Sequence, residues 1–184
     1  MKKSGNLVWI DLEMTGLDPK TCTVLEIGVV VTDSNLDLIA EGPSIAIRHS
    51  EKTLRGMEAW SRHHHGKSGL TRECRKSKIP MKKAERLVLD FVRRHCREKT
   101  APLCGNTVWQ DRRFLVKYMP KLEAFLHYRV VDVSSVKELV ARWYSSDHKA
   151  PRTKKQTHRV LPDILESIEE LRHYRDKVFL PRLS

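Results

Sequence analysis

Residues 7–13 have the sequence LVWIDLE, in which a short apolar run ends in two acids, Asp11 and Glu13. An apolar run of this length is typical of a strand at the centre of a sheet. Residues two apart in a strand point to the same face, so the two carboxylates lie side by side where the strand ends. Such a pair repels unless a cation lies between the acids or both face water. The spacing alone leaves both arrangements open.

The segments around this strand predict an α/β domain. Residues 24–32 (VLEIGVVVT) and 36–47 predict two more strands, separated by a turn at 33–35. Beyond residue 80, helices alternate with strands. Strands are predicted at 102–105, where Gly105 ends the strand, and at 128–133. Helices are predicted near 54–63, from Pro80, after residue 106, from a capping box at 135–138, and from about 161 to 179 with Ile164, Leu165, Ile168 and Leu171 inward. This order favours a mixed five-stranded sheet flanked by helices.

The length and charge of the chain limit the classes of function. Its 184 residues suit one domain, predicted here as residues 1–184, with a core at 7–174 and a short basic tail. Lysine and arginine exceed the acids by 12, which favours an anionic partner, although solubility alone is the other interpretation. Basic runs at 62–67, 72–78 and 149–155 favour phosphate.

No apolar run approaches the ~18 residues that a membrane span needs, and the first residues do not resemble a signal peptide. We therefore expect no membrane partner and a cytoplasmic location. A mitochondrial location would require a longer precursor.

Two further acids have settings similar to that of the first pair. Asp111 follows a predicted strand at the start of a helix, and Asp163 lies in the first turn of the last helix. Each is also explained by the preference of acids for helix N-termini. His158 lies five residues before Asp163, in the loop that enters the same helix.

These residues together predict a metal-dependent nuclease if they meet at one edge of the sheet. Carboxylate oxygens select hard cations such as Mg²⁺ or Mn²⁺. Two such ions can activate water and stabilise the leaving oxygen of a phosphodiester, while a histidine accepts the proton of that water. The net positive charge would attract the substrate.

Three segments resemble the exonuclease motifs of the oligoribonuclease family: 8–17 (VWIDLEMTGL), 105–115 (GNTVWQDRRFL) and 158–164 (HRVLPDI). Residues 127–129, 132–134 and 137–139 match the middle of that family. Residues 64–71 and 142–144 resemble its eukaryotic branch more than its bacterial one. The resemblance extends from about residue 7 to residue 174, with the motifs in the family's order.

The resemblance implies a fold, an activity and a catalytic set. The family consists of DEDD exonucleases of the histidine subtype with an RNase H-like fold. They hydrolyse very short RNAs, especially dinucleotides, from the 3′ end to 5′-mononucleotides with two Mg²⁺ or Mn²⁺ ions per site. By resemblance, Asp11, Glu13 and Asp163 ligate one ion, Asp11 bridges to the second, and Asp111 helps directly or through water. His158 is then the general base.

The same resemblance implies how the substrate is held. Leu17, Trp60 and His65 match residues that pack against or stack on the two bases. Thr107, Arg129 and Ser134 match a cap on the 5′ phosphate, which would exclude longer chains. The family forms a homodimer, and Tyr128 matches a tyrosine that reaches the neighbouring active site.

Pro162 departs from the family pattern, which has a non-proline residue before the final aspartate. In the first helical turn a proline costs little, because the N–H that it lacks has no partner within the helix. Deeper in the helix it would displace His158 from Asp163. Two alternative functions stay open. One is a general DEDD exonuclease that acts on longer RNA or DNA. The other is a binder of short nucleic acids whose catalysis is weakened by Pro162.

Overall fold

A five-stranded mixed sheet forms the centre of the structure, a computed structural model that describes residues 5–150 and 159–180. Its strands are β1 (Leu7–Met14), β2 (Val24–Thr32), β3 (Leu38–Ala46), β4 (Pro102–Gly105) and β5 (His127–Asp132). Their spatial order is β3-β2-β1-β4-β5. The first three strands form an antiparallel meander, and β4 and β5 run parallel to β1. The predicted fold class is confirmed.

Helices cover both faces of this sheet. They are α1 (Glu51–Arg55), α2 (Ala59–Lys67), α3 (Leu70–Lys76), α4 (Met81–His95), α5 (Val108–Tyr118), α6 (Pro120–Phe125), α7 (Val133–Trp143) and α8 (Val160–Lys177), with a 3₁₀ turn at Ser146–His148. Pro80 is the N-cap of α4, as its position in the sequence predicts.

The structure corrects three details of the predicted helices. Three short helices replace the single one expected near residue 54, because Gly56 ends α1 and Gly69, at φ +84°, separates α2 from α3. Helix α7 begins at Val133 rather than after a capping box at 135–138. Its cap is Asp132, whose carboxylate accepts a hydrogen bond from the Ser134 N–H. Leu165, expected inward, is exposed. The basic loop is described only as far as residue 150.

The alternation of side chains along β1 decides which helices face the two acids. Val8, Ile10 and Leu12 belong to the core that α4, α5 and α6 close, whereas Trp9 belongs to the core that α7 and α8 close. Asp11 and Glu13 have the same parity as Trp9 and therefore face α8. The sheet thus presents both carboxylates to the helix that carries Asp163.

In the part of the chain that the structure describes, the helices are too short or too polar to cross a bilayer. The cytoplasmic location stays a prediction.

Candidate active site

Three carboxylates meet where the end of β1 faces the first turn of α8. Each of Asp11, Glu13 and Asp163 offers an oxygen, and the three oxygens lie within 4.8 Å of one another. Glu13 is buried, and the other two acids are half-buried. The first acidic pair therefore does not simply face water. The structure supports the arrangement in which a cation lies between the two acids.

Asp111 adjoins this cluster without belonging to it. It lies in the first turn of α5, and its Oδ1 accepts a hydrogen bond of 3.0 Å from the Leu12 backbone N–H. That bond ties the start of α5 to β1 between the two acidic residues. Asp111 is also buried, and its charge acts on Asp11. This position agrees with the supporting role that the family resemblance implies for Asp111.

Crowding and burial make the charged form of the acids of this site unfavourable and so raise their pKa values. Burial is the main cause that raises the pKa of Glu13 to about 8, with further repulsion from Asp163 and Glu26. Burial also raises the pKa of Asp111 to about 8. The pKa of Asp11 is raised well above its ordinary value by burial and then by the charge of Asp111.

The cluster has the donors that a hard divalent cation requires. Carboxylate oxygens are the ligands that Mg²⁺ and Mn²⁺ prefer, and a doubly positive ion would remove the repulsion that raises these pKa values. Among the described residues, 5–150 and 159–180, these three acids form the one group of acids, histidines or cysteines whose ligand atoms lie close enough together to hold a metal ion. The acidic cluster therefore fits a divalent metal site.

A buried ion pair lies behind the cluster. Glu26 on β2 pairs with Glu13 across the sheet and is fully buried. Its carboxylate accepts from the Ser44 hydroxyl at 2.8 Å and from the Arg159 guanidinium at 2.8 Å and 3.0 Å. The guanidinium also binds Glu73 of α3 at 2.8 Å and 3.0 Å. Arg159 thus fastens the start of α8 to β2 and α3.

The first turn of α8 lies against β2 because β2 has a glycine there. Gly28 pairs with Asp11 in the sheet, and a Cβ on Gly28 would lie 2.6 Å from Cγ2 of Val160. Pro162 lies in this first turn, and the next N–H, of Asp163, donates to the Arg159 carbonyl at 3.2 Å. The proline is therefore at a position that costs little. His158 lies outside the described residues.

Two of the three expected base-contacting residues have exposed side chains. Leu17 is 67% exposed in the loop after β1, and Trp60 is 57% exposed on α2. The buried Gln110 side chain donates to the Leu17 carbonyl and so anchors that loop to α5. The Trp60 ring stacks on His64, with ring centroids 4.0 Å apart.

His65 occupies a different environment from the other two. It is 1% exposed, with Nε2 3.0 Å from the Met14 carbonyl and Nδ1 3.8 Å from Oε2 of Glu13. The structure thus places His65 against Glu13 of the acidic cluster, and its contact with a base stays a prediction.

Two of the three residues expected to cap the 5′ phosphate, Thr107 and Ser134, meet at the starts of α5 and α7. Thr107 adopts a left-handed conformation, at φ +53°, and its backbone N–H donates to Oγ of Ser134 at 2.9 Å. The two hydroxyl oxygens are 3.1 Å apart. Both residues line an open groove of about 420 Å³, whose walls are Thr107, Trp109, Asp132, Ser134, Ser135, Glu138 and Leu139.

Arg129 and Tyr128 are exposed on the edge strand β5. The guanidinium carbon of Arg129 is 5.3 Å from the centroid of the Tyr128 ring, and Tyr128 is 70% exposed. Neither residue is among the walls of the groove.

The residues that hold this site in place were not predicted from the sequence. Glu26 had a visible signal, because it is a single charged residue in the otherwise apolar segment VLEIGVVVT. Arg159 and Asn106 lie within two of the exonuclease motifs, but no pattern in the sequence indicates their partners. Gln110 had no signal, because its partner is a backbone carbonyl 93 residues away.

Comparison with known proteins identifies the class. The family profile RNase_T, described as Exonuclease, matches residues 8–171. The same α/β fold occurs in Pop2p of S. pombe, in its Mg²⁺- and Mn²⁺-bound form, with a TM-score of 0.71 and 13% identity over 97% of this chain and 85% of that one. The sheet and its acidic cluster thus define a protein of the exonuclease class, with an RNase H-like fold.

The sequence relatives are more specific. The oligoribonuclease of Dichelobacter nodosus is 50% identical over 180 residues, which cover 98% of both chains. The probable oligoribonuclease of Dictyostelium discoideum is 50% identical over 179 residues, which cover 97% of this chain and 93% of that protein. The chain belongs to the oligoribonuclease family. These identities do not separate the bacterial from the eukaryotic branch, so the expected closer likeness to the eukaryotic branch gains no support from them.

Proposed function

We propose that this protein hydrolyses very short RNA oligonucleotides, dinucleotides above all, from the 3′ end to 5′-mononucleotides. The observation that carries the proposal is the convergence of Asp11, Glu13 and Asp163 within 4.8 Å, in a chain 50% identical to oligoribonucleases over its full length. A cluster of carboxylates at the end of a buried strand has no structural benefit of its own. It is explained by the chemistry that a cation and a phosphodiester would bring.

The acids would hold two divalent ions, Mg²⁺ or Mn²⁺, with Asp11 shared between them and Asp111 assisting directly or through water. Bound ions of this kind supply an activated water and stabilise the charge of the leaving oxygen. His158 is proposed to accept the proton of the attacking water. Arg159, the next residue, is held by Glu26 and Glu73, which fixes the chain where it leaves His158.

The flanking residues would bind the dinucleotide at its two ends. Leu17 and Trp60 are exposed and apolar, and contacts with base faces are tolerant of sequence because every base has a π-face. Thr107, Ser134 and Arg129 would bind the 5′ phosphate, and a longer chain would collide with them. We keep His65 as a residue that contacts Glu13 and supports the site from inside.

We also propose a homodimer through the β5 face, defined here as the exposed side chains Tyr128 and Val130 of the edge strand β5. These side chains lie two residues apart on the same face of β5, which is the last strand of the sheet, with one edge unpaired among the described residues. An exposed strand edge bordered by apolar side chains is typical of an interface. Tyr128 would then extend into the partner's active site.

The experiment that tests the hydrolase uses 5′-labelled RNAs of two, three, five and twenty nucleotides in Mn²⁺, beside an Asp11→Ala control. Fastest cleavage of the dinucleotide, with an inactive control, is the expected result. Faster cleavage of the twenty-nucleotide RNA would favour the general exonuclease and contradict the phosphate cap. Binding without cleavage at any length would favour the weakened binder, and Pro162→Asp would then show whether the proline is the cause.

A further inference from the structure

A continuous chain of hydrogen bonds joins the acidic cluster to the proposed phosphate cap. The Ser167 hydroxyl donates to the Asp163 carbonyl at 2.8 Å, and the Asn106 amide donates to Oγ of Ser167, also at 2.8 Å. Oδ1 of Asn106 accepts from the Ser134 hydroxyl at 3.0 Å. Oγ of Ser134 then accepts from the Thr107 backbone N–H at 2.9 Å. The side chain of Asn106 is the centre of this chain.

The orientation of the Asn106 amide follows from its surroundings. Its nitrogen is 3.2 Å from Oε2 of Glu170, and Oε1 of that carboxylate is 3.0 Å from the Lys137 ammonium. The amide nitrogen donates to this carboxylate, and the amide oxygen accepts from the Ser134 hydroxyl, so the Asn106 nitrogen faces α8 and its oxygen faces Ser134.

This orientation commits the proton of the Ser134 hydroxyl to Asn106. The Thr107 hydroxyl, 3.1 Å from Oγ of Ser134, keeps a proton that can turn toward a phosphate oxygen in the groove. Asn106 therefore determines which hydroxyl of the cap donates to the ligand. It also fixes how far that hydroxyl lies from the turn that carries Asp163.

We propose that Asn106 is a positioning residue that sets the separation between the acidic cluster and the 5′-phosphate cap, and with it the preferred length of RNA. The inference rests on the proposed function, because it assumes that the cap binds phosphate. Asn106 is half-buried and acts through Ser134 and Thr107 rather than on the RNA itself. A rigid connection is required, because a phosphate held about 1 Å too far from the reacting centre loses most of the benefit of binding.

The test compares kcat/KM in saturating Mn²⁺ for a 5′-phosphorylated dinucleotide, the same dinucleotide without the phosphate, and a 5′-phosphorylated pentanucleotide. Asn106→Ala should reduce the preference for the phosphorylated dinucleotide over each of the others by about tenfold, the effect of one charge-assisted hydrogen bond. The variant should lose kcat/KM mainly for the 5′-phosphorylated dinucleotide, with little change for the other two substrates. Asn35→Ala is the matched control, because Asn35 is exposed in the β2–β3 turn, and it should behave as the wild type does.

The outcomes distinguish failure of this inference from failure of the proposed function. A wild-type protein that cleaves the dinucleotide but does not discriminate the 5′ phosphate has no cap, which overturns this inference and leaves the proposed hydrolysis standing, whereas a wild-type protein that cleaves none of the substrates contradicts the proposed function itself. A wild-type protein that discriminates, with an Asn106→Ala variant that keeps the same ratios, overturns the inference alone. An equal loss on all three substrates also overturns it, because that pattern reports a displaced Asp163.

Ser167→Ala keeps the test decisive if Asn106→Ala does not fold. This variant removes one of the two bonds that anchor the amide nitrogen and leaves the bond to Glu170. A smaller loss of the same preferences supports the inference. Unchanged preferences in a folded Ser167→Ala protein contradict it.

Discussion

The Arg159 guanidinium and the buried Glu26 carboxylate form a two-point ion pair, with Nε at 3.0 Å and Nη2 at 2.8 Å from its oxygens. Glu26 is the cross-strand neighbour of Glu13, so this pair lies directly behind the acidic cluster. Removing one partner of such a pair costs more than removing both, because it leaves an uncompensated charge in the interior.

Arg159→Met should therefore lower the free energy of unfolding by about 3 kcal/mol. The double variant Arg159→Met/Glu26→Gln should regain most of that loss, because the unpaired charge is then gone. Urea unfolding of the metal-free protein measures both. Arg55→Met, on an 84% exposed side chain with a 4.0 Å ion pair, is the matched control and should change little. Additive losses in the double variant would contradict the assignment.

Replacing Gly28 tests how closely α8 lies on the sheet. An added Cβ would meet Val160 at 2.6 Å, so Gly28→Ala should destabilise the protein by about 1–3 kcal/mol and lower activity by displacing Asp163. Val160→Ala in the same chain should restore part of both properties, since it removes Cγ2, the atom at 2.6 Å, but keeps Cβ, which lies 2.9 Å from the added atom. Gly66→Ala is the control, because nothing lies within 4 Å of its Cβ position. Thermal unfolding and dinucleotide hydrolysis are the measurements. Failure of the double variant to recover would show that Val160 is not the obstacle.

Neutralising one acid of the cluster should raise the thermal stability of the metal-free protein and abolish its activity. Asp11→Asn removes repulsion among buried carboxylates, so the metal-free variant should unfold at a higher temperature than the wild type. The same change should abolish Mn²⁺ binding in calorimetry, together with hydrolysis. Asp37→Asn, on a side chain that is 77% exposed, should alter neither property. A metal-free Asp11→Asn protein that is less stable than the wild type would refute the repulsion argument.

The metal-free protein should lose stability as the pH rises from about 4.5 to about 8. Burial raises the pKa of Glu13 from 4.5 to about 8, and that of Asp111 from 3.8 to about 8. In that interval the unfolded chain ionises both acids while the folded chain keeps their protons, so increasing pH favours unfolding. Above pH 8 the contribution levels off.

The measurement for this pH dependence is the melting temperature in EDTA, as a difference between the wild type and Glu13→Gln/Asp111→Asn. The difference cancels the titration of the remaining histidines and acids. As the pH rises from about 4.5 to about 8, the melting temperature of the wild type should fall relative to that of the double variant. A difference that does not change with pH would refute the raised pKa values.

Breaking the β5 face should convert the proposed dimer to a monomer. Val130→Lys places a charge among the exposed apolar side chains of that face, and burying it in an interface would be unfavourable. Leu38→Lys is the matched control, because Leu38 is exposed on β3 at the opposite edge of the sheet. Sedimentation velocity should give half the mass for the first variant and the wild-type mass for the second. A wild-type protein that sediments as a monomer would refute the dimer.

Much of the fold was predictable because its signals are local. The meander of β1–β3 and the start of α4 directly after Pro80 follow from runs and spacings that span fewer than ten residues. The break at Gly69 was not predicted, because residues 50–79 contain no periodic apolar pattern that would show where a helix ends. The cap of α7 was misplaced because Asp132 and Ser135 are both good caps, and only the end of β5 selects between them.

The acids of the site were predictable, but their supports were not. Each of the four acids lies near the end of a predicted strand or the start of a predicted helix, so its position could be recognised from the sequence: Asp11, Glu13, Asp111 and Asp163. The burial of His65 against Glu13 depends on how α2 packs beside β1, which no local pattern encodes. The connection from Asn106 to Ser167 spans 61 residues and requires the docked position of α8.

The position of α8 also has a consequence for the synthesis of the protein on the ribosome. Asp163 arrives some 150 residues after Asp11, and the ion pair that docks its helix joins residues 133 apart. The sheet is encoded early, but contacts this distant in sequence form late and only when the helix is available. A nascent chain that stops before α8 lacks one carboxylate of the cluster and the anchor of its first turn. Truncated products of translation should therefore be inert toward RNA, so that the cell gains nuclease activity only from chains that have been completed and folded.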